Sequence, residues 1–347
     1  MQQIWNKKRL EMKTLFAVAI VGMMGVVSVA SAATLDDIRQ SGMLKCGVNT
    51  GLAGFAESDT DGKWTGFDVD FCRAVAAAIF DDPGAVAFTP VSVADRFKVL
   101  QSGDIDILAR NTTWNMSREV SLGLAFGFVN YYDGQGFMVR REDGYTSALD
   151  LSGTTVCVLG GTTTESNLVN YFEANKMQLI PAVRETTEAA LAAYDAGDCD
   201  AYTGDSSALY ANRLTLAEPE DNVVLPEIIS KEPLGPVVRQ GDDQWLNIVK
   251  WVGFALLNAE ELGVTQDNVD AMRSSDDPEI GLLLDTDGSL GEAMGLDSTW
   301  VVQIVKAVGN YGEIFRRNIG ADSPLQIARG LNALWTRGGI QYAPPVQ

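Results

Sequence analysis

The chain has 347 residues, a formal net charge of −20 and no histidine. So acidic a surface lacks the basic footprint that nucleic acids and anionic membranes require. The missing imidazole removes the usual general base, the Ser/Cys-His pairs and most transition-metal sites.

The first segment, residues 1–32, reads as a cleaved leader. Lys7, Lys8, Arg9 and Lys13 precede the apolar run LFAVAIVGMMGVV, and Ala30-Ser31-Ala32 supplies a small-x-small cleavage pattern. Met12-Lys13-Thr14 is the more natural start. Cleavage after Ala32 implies export to a compartment where disulfides persist.

From Leu44 onward strand and helix signals alternate: LKCGV, DVDFCRAVAAAIF, AFTP, ADRFKVLQ, DIDILAR. After the extended segment VNYYDGQGFMVRRED the order returns as TVCVL, TESNLVNYF, QLIP, TEAALAAYD, CDAYTG and SSALYANRL. Residues 102–110 (SGDIDILAR) and 196–204 (AGDCDAYTG) resemble one another. Each follows a helical run and leads into small polar residues. The pattern predicts an α/β fold of two similar lobes, each a mostly parallel sheet with flanking helices. Polar groups at the carboxyl end of each sheet would face a cleft. Glycine-flanked Gly134–Arg140 and proline-bearing Lys231–Arg239 are the crossing points. They imply a first lobe of 33–137 plus 236–347, with a helical C-terminal extension, and a second lobe of 138–235.

Four cysteines (Cys46, Cys72, Cys157 and Cys199) allow three pairings. If each lobe keeps its own bridge, the pairs are 46–72 and 157–199. The run Glu57-Ser58-Asp59-Thr60-Asp61-Gly62 mimics a calcium loop but reads more simply as a hairpin turn, so no metal is expected there.

Three stretches could carry ligand chemistry. Asn111-Thr112-Thr113, directly after DIDILAR, offers N–H groups and hydroxyls, and Arg118 can return over the same point with its planar fork. That set suits a carboxylate. Gly160-Gly161-Thr162-Thr163-Thr164-Glu165 lies between a strand and a helix, with capping-box spacing from Thr162 to Glu165. Asp205, in the second copy of the repeat, ends a strand where a carboxylate could meet an ammonium group or merely cap a helix. Anion donors on both lobes and one acid on the second suit a zwitterion.

These blocks resemble the periplasmic solute-binding proteins of polar amino acid ABC transporters over nearly all of the exported chain. The blocks carrying the likeness are LKCGVN, KWTGFDVDFCRAVA, SGDIDILARNTTWNMSRE, LSGTTVCVLGGTTTESNL and AGDCDAYTGDSSAL. The resemblance implies the two-lobed periplasmic-binding-protein type II fold with the ligand in the interlobe cleft. It implies no enzyme and no cofactor, an L-amino acid ligand, inner-membrane permease partners and a monomer. It puts Arg118 and Thr113 on the ligand α-carboxylate, assisted by Thr163. The α-ammonium falls to Asp205 and to a main-chain carbonyl at Asn111. The family's aromatic turn is represented by Leu52-Ala53-Gly54-Phe55, which leaves Phe55 as the expected aromatic floor. Arg110, where a small residue is usual, would favour acidic or amide ligands. The long tail looks like the general L-amino-acid-binding branch. An exported cyclohexadienyl dehydratase and a ligand-sensing domain are the alternatives on the same fold.

Overall fold

A computed structural model describes residues 33–285 and 287–346; the leader expected at 1–32 lies outside the described residues. Two five-stranded sheets share one plan. The first runs, edge to edge, Val86–Pro90, Leu44–Val48, Ile107–Leu108, Val237–Arg239, Leu124–Phe126. The second runs Ile180–Arg184, Thr155–Leu159, Ala201–Asp205, Gln135–Arg140, Asn222–Val224. In each the fourth strand alone is antiparallel to its neighbours. That strand is the one whose chain has just crossed from the other lobe. Each lobe therefore completes its sheet with a strand delivered through the crossing.

The crossing itself is a short antiparallel ribbon, Tyr131–Asp133 against Glu232–Leu234, with Glu232 opposite Asp133. Residues 135–137, which the sequence reading left in the first lobe, pair with Asp205, Gly204 and Thr203 in the second sheet. The flanking glycines mark this stretch as a crossing point. Its residues 135–139 are instead all buried, as in a central strand covered on both faces.

The sequence repeat is a repeat of hydrogen bonds as well. Gly103 and Gly197 take φ of 83° and 81° to end their helices, a conformation open chiefly to glycine. Two strand starts are then tied down identically. Asp106 donates its N–H to the Lys45 carbonyl and accepts the Lys45 N–H on Oδ2 (2.9 Å). Asp200 does the same with Thr155, at 2.7 Å for the side-chain bond. The Gly-Asp-x-Asp spacing thus fixes where each central strand meets its neighbour.

Helix Phe67–Phe80 buries most of its length against the first sheet, and the tail helices Asp243–Glu261 and Trp300–Val308 cover it. The tail thus thickens the core of the first lobe, while the second lobe has its own smaller clusters around Phe137 and Met138. Glu57–Ser58 and Trp64–Thr65 form the expected hairpin. Its turn is held by Asp59 Oδ1, which accepts the N–H of Asp61 and of Lys63.

Both bridges fall within a lobe: Cys46–Cys72 ties a strand to its covering helix, and Cys157–Cys199 ties a strand to the turn that leads into its neighbour. They close loops of 26 and 42 residues. On loop-closure entropy, replacing either pair by serines lowers the unfolding free energy by about 3–4 kcal/mol. Urea titration of each double variant checks this, and peptide mapping that found a cross-lobe link would refute the pairing.

Candidate functional site

The carboxyl ends of the two sheets meet across a polar cleft. Asn111, Thr113 and Arg118 from the first lobe line it together with Thr163 and Asp205 from the second. Five of the six ligand residues expected from the sequence thus share one cavity. Phe55 does not line it. A tight turn pairs Leu52 with Ala56 and rolls Phe55 into the core, edge-on to Phe67 and Tyr131. Leu52 lines the cavity instead.

Asn111 occupies the repeat position equivalent to Asp205. It sits at φ 34°, a region asparagine tolerates better than most residues. Its N–H donates to Asp68 Oδ2 (3.0 Å), and its Oδ1 accepts from Asn49 Nδ2 (2.9 Å). Asp68 is almost fully buried, and burial pushes its carboxyl up to about 6 despite that N–H.

The second-lobe turn is built as the spacing suggested, with one shift. Thr162 Oγ1 accepts the Glu165 N–H (3.2 Å), while the Glu165 carboxylate reaches back to the Gly161 N–H rather than to that of Thr162. The next N–H groups of this helix start, at Thr163 and Thr164, have no intrahelical acceptor and stand at the positive end of the dipole.

The sequence reading missed Glu232. It is buried at one end of the crossing ribbon and gathers side chains from both lobes. Its Oε2 accepts from Thr113 Oγ1 (2.6 Å) and Thr163 Oγ1 (2.9 Å), and its Oε1 accepts from Asn167 Nδ2 (2.7 Å) and Ser230 Oγ (2.8 Å). A hydroxyl has one proton. In this arrangement both threonines have given theirs to Glu232 and present only lone pairs to the cavity. Donation to a ligand carboxylate therefore falls to N–H groups and arginines.

Three arginines supply those donors: Arg96, Arg110 and Arg118, each less than a tenth exposed. Arg118 follows the helix cap Asn115, whose Oδ1 accepts the Arg118 N–H, and its Nη1 donates to the Thr113 carbonyl (2.6 Å). Arg110 Nε donates to the Val91 carbonyl (2.8 Å), and burial lowers its guanidinium to about 10. Arg96 stands over the Phe97 ring at 4.7 Å. None of the three forms an ion pair among the described residues. Arg96 begins the helix Arg96–Ser102, and nothing in VADRFKVLQ distinguishes it from a surface arginine.

Asp205 faces these cations from the second lobe. Its side chain does not cap the helix Ser206–Arg213 that it precedes. Burial, then the charges of Asp133 and Glu232, pushes its carboxyl well above the usual range, against the pull of Arg118 and Arg96. Asp133, up at about 6 mainly through burial, is held by Ser207 and by the Gly134 N–H. The cleft thus sets hydrogen-bond donors and positive charge on one wall opposite a carboxyl on the other.

Two similar lobes joined by a crossing ribbon, with polar sheet ends around one cleft, define a bilobal solute-binding protein. The chain belongs to the bacterial extracellular solute-binding proteins, family 3, whose family model matches residues 44–266. It is 58% identical to the general L-amino acid-binding periplasmic protein AapJ of Rhizobium johnstonii, over 92% of this chain and 94% of that protein. It is 50% identical to the glutamate/glutamine/aspartate/asparagine-binding protein BztA of Rhodobacter capsulatus, over 92% and 95%. Among solved structures, a periplasmic binding protein of an ABC transporter from Brucella ovis, with glutathione bound, is 59% identical. It superposes with a TM-score of 0.89, over 90% of this chain and 99% of that one.

The buried carboxyl of Asp68 gives a signed pH dependence. Its folded value of about 6 lies above the ordinary 3.8. The folded state therefore binds the proton more tightly, and this residue's cost is absent below about pH 4 and complete above about pH 6. Relative to the parent, Asp68→Asn should gain about 2–3 kcal/mol more at pH 7 than at pH 4. Denaturant titrations at the two pH values check it; an unchanged difference would refute the buried-acid assignment.

Proposed function

We propose that this chain is the extracytoplasmic capture subunit of an amino acid ABC importer. It binds L-amino acids between its lobes, with breadth or a preference for acidic and amide side chains, and hands them to inner-membrane permease subunits. It works as a monomer and a carrier rather than a catalyst. We place the lobe boundaries in the ribbon, near residues 134 and 235, with the leader at 1–32 removed on export.

The observation that carries this reading is the opposition of Arg118 and Asp205 across one cavity, a cation and an acid that are not paired with each other. Arg118 has donors left after its single bond to the Thr113 carbonyl. An α-carboxylate fits there, completed by the N–H groups at the start of helix Thr163–Ala174. An α-ammonium fits between Asp205 and the lone pairs of Thr113 and Thr163. Binding the ammonium would favour the ionised form of Asp205. The names of AapJ and BztA, at 58% and 50% identity, support an amino acid as the ligand.

Arg118→Ala should lose about 2–5 kcal/mol of binding, or one to four decades of affinity, because it leaves a ligand carboxylate buried without its partner. Arg118→Lys should recover little, since an ammonium offers no fork. Calorimetric titration of ligand-stripped protein with L-amino acids measures both; parent-like affinity in Arg118→Ala would sink the site assignment.

Contacts split between lobes also predict closure. A ligand that touches Arg118 on one side and Asp205 and Thr163 on the other stabilises the state in which all are engaged. Small-angle scattering should show a smaller radius of gyration at saturation, and Asp205→Asn should blunt the change. An unchanged radius in a sample with binding verified would refute it.

A further inference from the structure

Asn332 and Gln341 lie beyond residue 266, where the family match ends, and both are buried. Between them they hold the outer edge of one crossing strand. The Asn332 side chain accepts the Tyr132 N–H on Oδ1 (2.7 Å) and donates from Nδ2 to the Tyr132 carbonyl (3.0 Å). A carboxamide carries the same donor and acceptor as a peptide group, so this one side chain stands in for a neighbouring strand. Gln341 Nε2 donates to the Val129 carbonyl (3.3 Å) and to Tyr311 Oη (3.2 Å), and that hydroxyl donates to the Asn130 carbonyl (2.8 Å). Asn332 is itself fixed. Its main-chain carbonyl accepts from Arg329 Nε (3.0 Å) and Nη2 (2.8 Å), and Arg329 makes a forked pair with Glu260 at 3.1 and 3.0 Å. Glu260 belongs to helix Asp243–Glu261, which covers the first sheet. A continuous run of bonds thus leads from the core of the first lobe to the ribbon.

The other strand of the ribbon is also held by the first lobe. Trp114 N–H donates to the Pro233 carbonyl (2.7 Å), and Gly235 N–H donates to the Thr112 carbonyl (3.1 Å). One residue further along, the holders change. Asp133 accepts from the N–H and hydroxyl of Ser207, and Glu232 accepts from Thr163 and Asn167, all of the second lobe. Tyr132 faces Pro233 across the ribbon, and Asp133 faces Glu232. The change of holders therefore falls at the same step on both strands. The Thr113 hydroxyl crosses that step with a side-chain bond to Glu232.

We propose that the C-terminal extension is a clamp on the hinge, with Asn332 as its positioning residue. The clamp makes the ribbon part of the first lobe as far as Tyr132 and Pro233. Lobe rotation is then taken up at the next peptide links, Tyr132–Asp133 and Glu232–Pro233. A bend confined to one step leaves fewer open arrangements than a bend spread along the ribbon, so closing costs less entropy. Neither Asn332 nor Gln341 lines the cavity, so the clamp acts alike on every ligand. Its effect on affinity rests on the ligand-driven closure proposed above; the holding of Tyr132 does not.

Hydrogen exchange of the mature, ligand-stripped protein, read at single residues, tests the clamp directly. In the parent the Tyr132 N–H should exchange at least about a hundredfold more slowly than an unstructured amide. In Asn332→Ala it should speed up about tenfold or more, while the amides of strand Gln135–Arg140 keep their rates. Unprotected exchange at Tyr132 in the parent, or no acceleration in the variant, would overturn the proposal. Calorimetry at 25 °C with L-glutamate and L-glutamine supplies the functional readout. Asn332→Ala should weaken both by one common factor of about three to ten, because it lowers the fraction of protein poised to close. Thermal melting establishes that the variant is folded at that temperature. Gln341→Ala, a milder lesion, should give the same pattern at smaller amplitude and replaces Asn332→Ala if that variant does not fold. Unchanged affinity in a folded variant would make Asn332 merely structural, and unequal losses would place it in the ligand site; either result sinks the clamp. A parent that bound neither amino acid would count against the proposed ligand, and the exchange rates would still decide the clamp.

Discussion

Three guanidinium groups buried around one cavity, none in an ion pair with protein, set the terms for everything else in the cleft. Charges removed from water need compensation at close range. Here the acids sit behind or across from the cations: Asp68 behind the Asn111 turn, Glu232 in the crossing ribbon, Asp205 on the facing lobe. Their carboxyls do not close onto the arginines. Burial raises the carboxyls of Asp68 and Asp205, so each charge held in the wall carries a cost. An incoming carboxylate therefore meets buried guanidinium donors that no protein carboxylate among the described residues has taken. Such preorganisation raises affinity by avoiding a cost of reorganisation at the moment of binding.

Glu232 explains how two lobes come to share one site. It lies on the ribbon through which the chain crosses back, directly opposite Asp133. Asn167 and Thr163 bind it from the second lobe and Thr113 from the first. Asp133 is held by Ser207, also of the second lobe. The ribbon's acidic side chains are thus anchored mainly to the second lobe, and the Thr113 hydroxyl is the point at which the first lobe joins them. The two threonine hydroxyls lie 3.5 Å apart with Glu232 between their roles.

How much of this is legible in sequence depends on whether the cause is local. The Gly-Asp-x-Asp repeat is readable because its parts act within a few residues: a glycine at positive φ ends a helix, and an aspartate ties the next strand to its neighbour. The cysteine pairs follow from the same layout, since each joins adjacent elements. Arg118 is readable because it follows a capped turn at a strand end. Phe55 was misplaced for an equally physical reason. A hydrophobic ring in a loop near a site serves as pocket floor or as core, and only the Leu52–Ala56 pairing decides which. Arg96 and Glu232 have no local mark at all. Arg96 is an ordinary helix start in sequence, and Glu232 is a charge between Lys231 and a proline. The environment of Glu232 is assembled largely by residues 65 to 119 positions away, Asn167 and Thr113 among them.

The repeat also shows how one scaffold yields two unlike walls. Asn111 and Asp205 occupy equivalent positions at the ends of equivalent strands, yet one is neutral and the other acidic. On the first lobe the carboxylate has moved one layer back, to Asp68, where it accepts the Asn111 N–H instead of facing the cavity. The arginines then occupy the front of that wall. On the second lobe no arginine lines the cavity, and the acid stands at the front. A cleft made from two copies of one strand end has thereby acquired polarity. One wall carries cations and the other an acid, so a zwitterion lying across it has a single favoured direction. The exchange of one residue type at the two equivalent positions acts together with arginines on one wall only to give the cleft its direction.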